Sequence, residues 1–99
     1  MAKTIPKPKK KFDWNAFLDK RNQIAVHCET ENECVTFQRL MHEHGMCWDS
    51  GRTYQGYRFG KFGNYKDKTC YSNQGRFCKI DYYNEIGYTI LKFSAYDFT

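Results

Sequence analysis

Six histidine and cysteine side chains lie close together in the first half of the sequence: His27, Cys28, Cys34, His42, His44 and Cys47. Side chains of these two types can hold a zinc ion, which takes four nitrogen or sulfur ligands, commonly in paired close spacings. The spacing here does not favour a metal site. No C-x2-C pair is present, and two histidines two positions apart on a helix point to different sides. We therefore expect no metal ion and interpret these thiols as small core side chains.

A cysteine nucleophile is the second chemistry that these residues suggest. It would need a lowered thiol pKa, a neighbouring base and a pocket. Cys28 and Cys34 are the candidates, but both fall on apolar faces of their predicted elements. The acids Glu29, Glu31 and Glu33 lie where a helix begins, and there they complement the helix dipole. We therefore expect a protein without catalytic activity and without a cofactor.

A third group of residues alternates aromatic rings with cations between four glycines. Single-stranded nucleic acids bind to such surfaces, because rings stack on bases and cations contact phosphates. Protein interfaces use the same residue types as hot spots. An ordered loop with its rings folded onto the core would have the same composition, so all three interpretations stay open. The residues predicted to bind a partner are Arg52, Tyr54, Tyr57, Arg58, Phe59, Lys61 and Tyr65.

The histidines and cysteines are placed by a predicted β-α-β unit. Alternation of apolar side chains predicts a strand over residues 23–28, and the capping-box pattern T-E-N-E begins a helix over residues 30–44. Gly45 ends this helix, because glycine readily takes the left-handed conformation. A short strand over residues 46–48, parallel to the first, would complete the unit. The helix stripe expected to face the core is Cys34, Phe37, Leu40, Met41 and His44.

The second half of the sequence predicts a hairpin over residues 68–80. Its turn is N-Q-G, with glycine at the position that tolerates a left-handed backbone. This turn places Cys70 opposite Cys78, and Tyr71 opposite Phe77. The remaining predicted elements are a short helix over residues 12–20 capped by Asp13, a helical turn over residues 82–86 capped by Asp81 and stopped by Gly87, a strand over residues 88–94 and a frayed tail over residues 95–99.

Length and composition favour one small α+β domain. The 99 residues suffice for a single domain with a modest core. We expect this domain over residues 12–99, with a small mixed sheet of about four to five strands and one main helix. Two prolines and a run of lysines predict a flexible basic arm over residues 1–11. The arm residues expected to attract an anionic partner are Lys7, Lys9, Lys10 and Lys11.

Charge, ring content and cysteine usage narrow the class of partner. The net charge is +5 and 18% of the residues are aromatic, which favours an acidic macromolecule as partner. An odd number of cysteines, five, argues against a disulfide framework. No apolar run approaches the roughly 20 residues of a membrane-spanning helix, and the first residues lack the apolar stretch of a secretory signal. We therefore expect a cytoplasmic protein that does not contact a membrane.

The order of the motifs resembles that of small uncharacterised phage and prophage accessory proteins. The similar parts are the strand, capped helix, Gly and Trp over residues 24–48, and the later T-x-Y, Y-Y and G-Y pairs that begin at Thr69, Tyr82 and Gly87. The resemblance implies a protein that inhibits or redirects a host macromolecular machine, in counter-defence or host takeover, acting in the host cytosol. Its partner would be a host protein or a protein–nucleic acid complex. The alternative is direct binding of single-stranded DNA or RNA.

Overall fold

The structure is a computed structural model that describes residues 10–52 and 62–98, with only the backbone of Phe62. Along the chain, short strands alternate with one long helix and several short ones. The elements are β1 (Lys10–Lys11), α1 (Trp14–Leu18), β2 (Ile24–Cys28), α2 (Glu31–Glu43), α3 (Phe62–Tyr65), a 3₁₀ turn (Lys66–Lys68), β3 (Thr69–Ser72), β4 (Phe77–Lys79), α4 (Ile80–Glu85), β5 (Thr89–Lys92), a second 3₁₀ turn (Phe93–Ala95) and β6 (Tyr96–Asp97).

A four-stranded mixed sheet forms the centre of the fold, in the order β4-β3-β2-β5. Strand β2 pairs antiparallel with β3 and parallel with β5. A separate two-stranded parallel ribbon joins β1 to β6. The predicted α+β class, with one main helix and a small mixed sheet, is confirmed. None of the helices in the described ranges combines the length and apolar composition needed to cross a bilayer.

The predicted parallel strand over residues 46–48 is wrong. Only Cys47 makes an isolated bridge, and the parallel partner of β2 is β5. The backbone around Cys47 is committed to local bonds instead of a ladder. The Met46 N–H donates to the Met41 carbonyl at 3.0 Å, and the Trp48 N–H donates to the Arg52 carbonyl at 2.8 Å. The β-α-β unit is therefore closed by a strand from the far end of the sequence.

Strand β2 is covered on both faces. Val26 and Cys28 face the main core, where Phe17, Phe37 and Met41 from α1 and α2 are fully buried. Ala25 faces a second, smaller core that contains Tyr83 of α4, Cys70 of β3 and Ile90 of β5. The sheet is therefore sandwiched between α1 and α2 on one side and α4 on the other.

Helix α2 begins and ends where the sequence predicts. The Glu33 N–H donates to Thr30 Oγ1 at 3.1 Å, while the Glu33 carboxylate accepts from the Glu29 N–H at 2.8 Å instead of from Thr30. Gly45 ends the helix with a positive φ of 80°. His44 is exposed, not in the core stripe, and its ring stacks on Trp14 with 3.8 Å between centroids. An imidazole at the last turn is better solvated there than inside an apolar core.

The predicted hairpin is confirmed in register. Cys70 lies opposite Cys78, and Tyr71 lies opposite Phe77. The helical turn after it is longer than predicted, because α4 already begins at Ile80, and Asp81 therefore lies in its first turn and does not cap it. Asp13 caps α1 as predicted, with its carboxylate accepting from the Ala16 N–H at 3.0 Å.

The last residues are packed, and the prediction of a frayed tail is wrong. Tyr96 and Asp97 pair with Lys10 and Lys11, and the Phe98 ring lies 4.7 Å from the Phe12 ring. The Tyr96 and Phe98 rings are partly buried against the main core, and this burial favours the packed tail. Lys10 and Lys11, which the sequence assigned to the basic arm, thus belong to strand β1. Residues 1–9 of that arm lie outside the described residues.

Candidate binding loop and its anchors

The structure describes the two flanks of the basic aromatic segment. Arg52 and Tyr65 are placed, as are Lys10 and Lys11 in β1. The segment between the flanks, residues 53–61, is called the loop below. Seven of the predicted binding residues lie outside the described ranges: Tyr54, Tyr57, Arg58, Phe59 and Lys61 in the loop, and Lys7 and Lys9 in the arm.

The chain enters the loop through a tight turn that is bonded to the β3–β4 hairpin. Within the turn, the Gly51 N–H donates to the Trp48 carbonyl at 2.8 Å, and the Trp48 N–H donates back to Arg52. The Asp49 N–H donates to the Gly75 carbonyl at 2.9 Å. The Arg76 Nε donates to the Asp49 carboxylate at 2.7 Å, and this bond raises the pKa of Arg76. The entry to the loop is therefore fixed on the hairpin by backbone and side-chain bonds.

The chain leaves the loop against the same hairpin. The Tyr65 ring lies 5.8 Å from the Phe77 ring, and the Cys78 thiol is 4.0 Å from the Tyr65 hydroxyl. Lys66 then takes a left-handed backbone with φ 54°, and its carbonyl accepts from Thr69 Oγ1 at 2.8 Å. Tyr65 is half-buried, so part of its ring area positions the chain and the remainder is open to a partner.

Entry and exit of the loop converge on consecutive residues of the hairpin, Arg76 and Phe77. Exposed cations flank both ends, namely Arg52 at the entry and Lys66 and Lys68 at the exit. Each end also carries an exposed carboxylate, Asp49 and Asp67. The two ends of residues 53–61 are therefore held on the hairpin, with cations and acids at both ends.

Three of the five cysteines are packed as core side chains, whereas Cys47, which the sequence also predicted in the core, is exposed and Cys78 is half-buried. Cys28, Cys34 and Cys70 have no exposed surface. Burial raises the pKa of Cys28, and it raises the pKa of Cys70 to about 12. A hydrogen bond from Cys28 lowers the pKa of Cys34, but this thiol has no access to solvent and itself contacts the Cys28 carbonyl at 3.8 Å. Across residues 10–52 and 62–98, no three His, Cys, Asp or Glu side chains form a group suited to a metal ion.

Sequence reasoning missed a cavity of about 320 Å³ beside the entry to the loop. Asn73 is fully buried in its wall, although the sequence marks this residue only as part of a turn. Leu18, which ends α1, is 38% exposed. The lining side chains and backbone belong to Leu18, Lys20, Gly45, Met46, Cys47, Trp48, Asp49, Gly51, Asn73 and Gly75.

Comparison of the sequence with protein-family models and with curated proteins, and of the fold with solved structures, found no match.

Proposed function

We propose that this protein is a non-enzymatic binding protein that captures a host macromolecule through the loop and so inhibits or redirects the machine to which that molecule belongs. The phage-type role, in counter-defence or host takeover, follows from the resemblance in motif order. The observation that carries the binding role is the convergence of both ends of the loop on Arg76 and Phe77. Loops held by a rigid scaffold are the usual carriers of binding residues.

The composition of the loop supports a binding role for the residues it displays. Tyr, Phe and Arg bury much surface per side chain and are the residue types that dominate interface energies. Fixing the two ends of the loop reduces the conformational entropy that is lost when a partner binds. The hairpin that fixes them is itself part of the core, since Tyr71 of β3 is fully buried. A partner therefore loses no binding free energy to ordering the residues that flank the loop.

A protein partner fits the charges better than a bare nucleic acid. Asp49, which pairs with Arg76, and the exposed Asp67 lie at the two ends of the loop beside exposed cations, so both signs of charge flank it. Mixed charge of this kind is normal at the rim of a protein interface, whereas a phosphate backbone is complemented by cations alone. We therefore place a host protein, alone or within a protein–nucleic acid complex, first among partners.

The test is affinity capture from a bacterial lysate with the tagged protein, with and without nuclease. The variant is the triple replacement Tyr57→Ala, Arg58→Ala and Phe59→Ala in the loop. Its matched control removes one ring, one cation and one apolar side chain that are exposed elsewhere, by Tyr82→Ala, Arg39→Ala and Ile86→Ala. Circular dichroism and thermal unfolding establish that both variants are folded.

We expect one host protein to be retained after nuclease treatment, to be lost with the loop variant and to be kept by the control. Unchanged capture by the folded loop variant would sink the assignment of the site. Capture of nucleic acid, with proteins lost on nuclease treatment, would establish the alternative of single-strand binding. In that case affinity should fall steeply with salt, and removing residues 1–9, which leaves β1 intact, should reduce the slope.

A further inference from the structure

Strand β2 reaches the turn at the exit of the loop through the side chain of His27. The His27 Nε2 lies 2.6 Å from the Asp67 carbonyl oxygen, across 40 positions of the chain. A carbonyl oxygen only accepts hydrogen bonds, so this nitrogen carries a proton and donates. The sequence suggests His27 only as a candidate zinc ligand, whereas the structure joins it to the residues that follow the loop.

The position of His27 in the sheet makes it a fixed support for this turn. Strand β2 is paired on both sides, and His27 lies in register between Cys70 of β3 and Lys92 of β5. Side chains alternate along a strand, so His27 shares the face of Ala25, which belongs to the second core. Side chains on strands hold a site more precisely than side chains on loops. The turn after the loop is therefore attached to an inner strand of the sheet.

The turn that His27 holds has an unfavourable backbone conformation. Lys66 has a φ of 54° and is the one non-glycine residue with a positive φ in residues 10–52 and 62–98. The left-handed region costs free energy for a residue that has a Cβ atom. Thr69, which is fully buried, donates to the Lys66 carbonyl from its N–H and from its Oγ1, the latter at 2.8 Å. His27 holds the next carbonyl, so residues of β2 and β3 together keep the strained turn in place.

We propose that His27 is a positioning residue for the proposed binding site. Its hydrogen bond to the Asp67 carbonyl keeps the turn left-handed and thereby holds Tyr65, the residue that precedes the turn, on the hairpin. This inference rests on the proposed function, because it gives His27 an effect on partner binding without contact with the partner. A site whose flanks are held before binding loses less conformational entropy when the partner binds.

The first experiment tests the hydrogen bond and its local effect without a partner. NMR of the ring nitrogens should show the proton of the neutral His27 imidazole on Nε2, and a proton on Nδ1 alone would overturn the bond. Two variants then separate the donor from the ring. His27→Leu removes the donor, whereas His27→Gln restores an N–H at a similar distance from the backbone.

Amide hydrogen exchange compares two backbone groups in these variants. The Thr69 N–H donates within the turn, and the Asn73 N–H donates to the Ile24 carbonyl at 3.0 Å, away from it. We expect exchange at Thr69 to accelerate roughly two- to tenfold relative to Asn73 in His27→Leu, and to return to the wild-type ratio in His27→Gln. Equal acceleration at both amides would indicate a general loss of stability and would overturn the local role of His27.

The second experiment measures capture of the host protein from the lysate by the same variants. We expect His27→Leu to bind it roughly two- to tenfold more weakly and His27→Gln to bind it as the wild-type protein does. The matched control is His42→Leu, which changes a half-buried histidine of α2 and should leave capture unchanged. Full capture by His27→Leu, together with loss of capture in the loop variant, would overturn the positioning role and leave the proposed function standing. Full capture by both variants would remove both.

Discussion

Replacing Gly75 by alanine tests the contact between the β3–β4 turn and the entry to the loop. Gly75 has a φ of +79°, in the left-handed region. A Cβ atom at this position would lie 2.7 Å from the Asp49 nitrogen, 2.7 Å from the Cys47 oxygen and 3.0 Å from the Trp48 carbonyl carbon. All three are backbone atoms, so the overlap is relieved only if one segment of main chain moves away from the other.

The expected loss of stability has two parts. The left-handed conformation costs an alanine about 1–2 kcal/mol relative to glycine. Forcing a packed backbone apart adds about 1–3 kcal/mol, as other small-to-large replacements do. Gly75→Ala should therefore lower the free energy of unfolding by about 2–5 kcal/mol. Gly87 provides the matched control, because its φ is +82° but no atom lies within 4 Å of the position of its Cβ.

The assay is urea unfolding followed by tryptophan fluorescence, analysed as a two-state transition with the slope compared between variants. Gly87→Ala carries only the conformational cost and should lose about 1–2 kcal/mol. The difference between the two variants measures the contact of the turn with residues 47–49. Equal losses would refute the reasoning, because they would mean that the hairpin does not press on the entry to the loop.

Three further predictions concern the core. Tyr71→Phe removes the hydroxyl that donates to Gln38 Oε1 at 3.0 Å, so urea unfolding should show a loss of about 1–3 kcal/mol. Adding Gln38→Leu removes the Gln38 oxygen that Tyr71→Phe leaves without its donor, so the double variant should recover much of this loss. A double variant no more stable than Tyr71→Phe alone would contradict that account. Burial raises the pKa of Cys70 to about 12, so the unfolded chain releases this proton first as the pH rises above 9. The stability contributed by the neutral thiol is complete below pH 9, and the free energy of unfolding should fall above it by roughly 1.4 kcal/mol per pH unit until the folded thiol also ionises near pH 12. The decline should be shallower in Cys70→Ala, and an identical slope would exclude Cys70 as its source. Native-state titration with a thiol reagent should modify Cys47 first and the buried thiols only in denaturant. Fast modification of Cys34 in the native protein, located by mass spectrometry, would restore the idea of a cysteine nucleophile.

Local signals in the sequence were enough to predict much of the fold. The capping box at Thr30 and the glycine at position 45 bound helix α2 because both act on neighbouring backbone groups. The hairpin register followed from the turn, since the residues flanking a three-residue turn must face one another. Each of these features depends on residues close in the chain, where physical preferences are strong.

Long-range pairing was not predictable in the same way. Nothing in residues 88–94 identifies β5 as the parallel partner of β2, because any short apolar strand could pair with the edge of β2 and cover its apolar faces equally well. Gln38 reads as an exposed polar position on α2, yet it is buried because it meets the Tyr71 hydroxyl from β3. The Asp49–Arg76 pair and the cavity beside it also join segments far apart in sequence. The sequence predicted the composition of the candidate site but not the anchors that hold it.

The position of β2 between β3 and β5 has a consequence for how the chain reaches its folded state. Both neighbours of β2 come from the second half of the sequence, and its parallel partner is the last strand of the sheet. Folding rates fall as native contacts become more distant in the chain, because long segments must be closed before such contacts form. During synthesis, β2 and α2 leave the ribosome without a sheet to pack on. The β3–β4 hairpin is the first part of the sheet whose pairing needs only its own residues, and the main core closes only once β5 has been made.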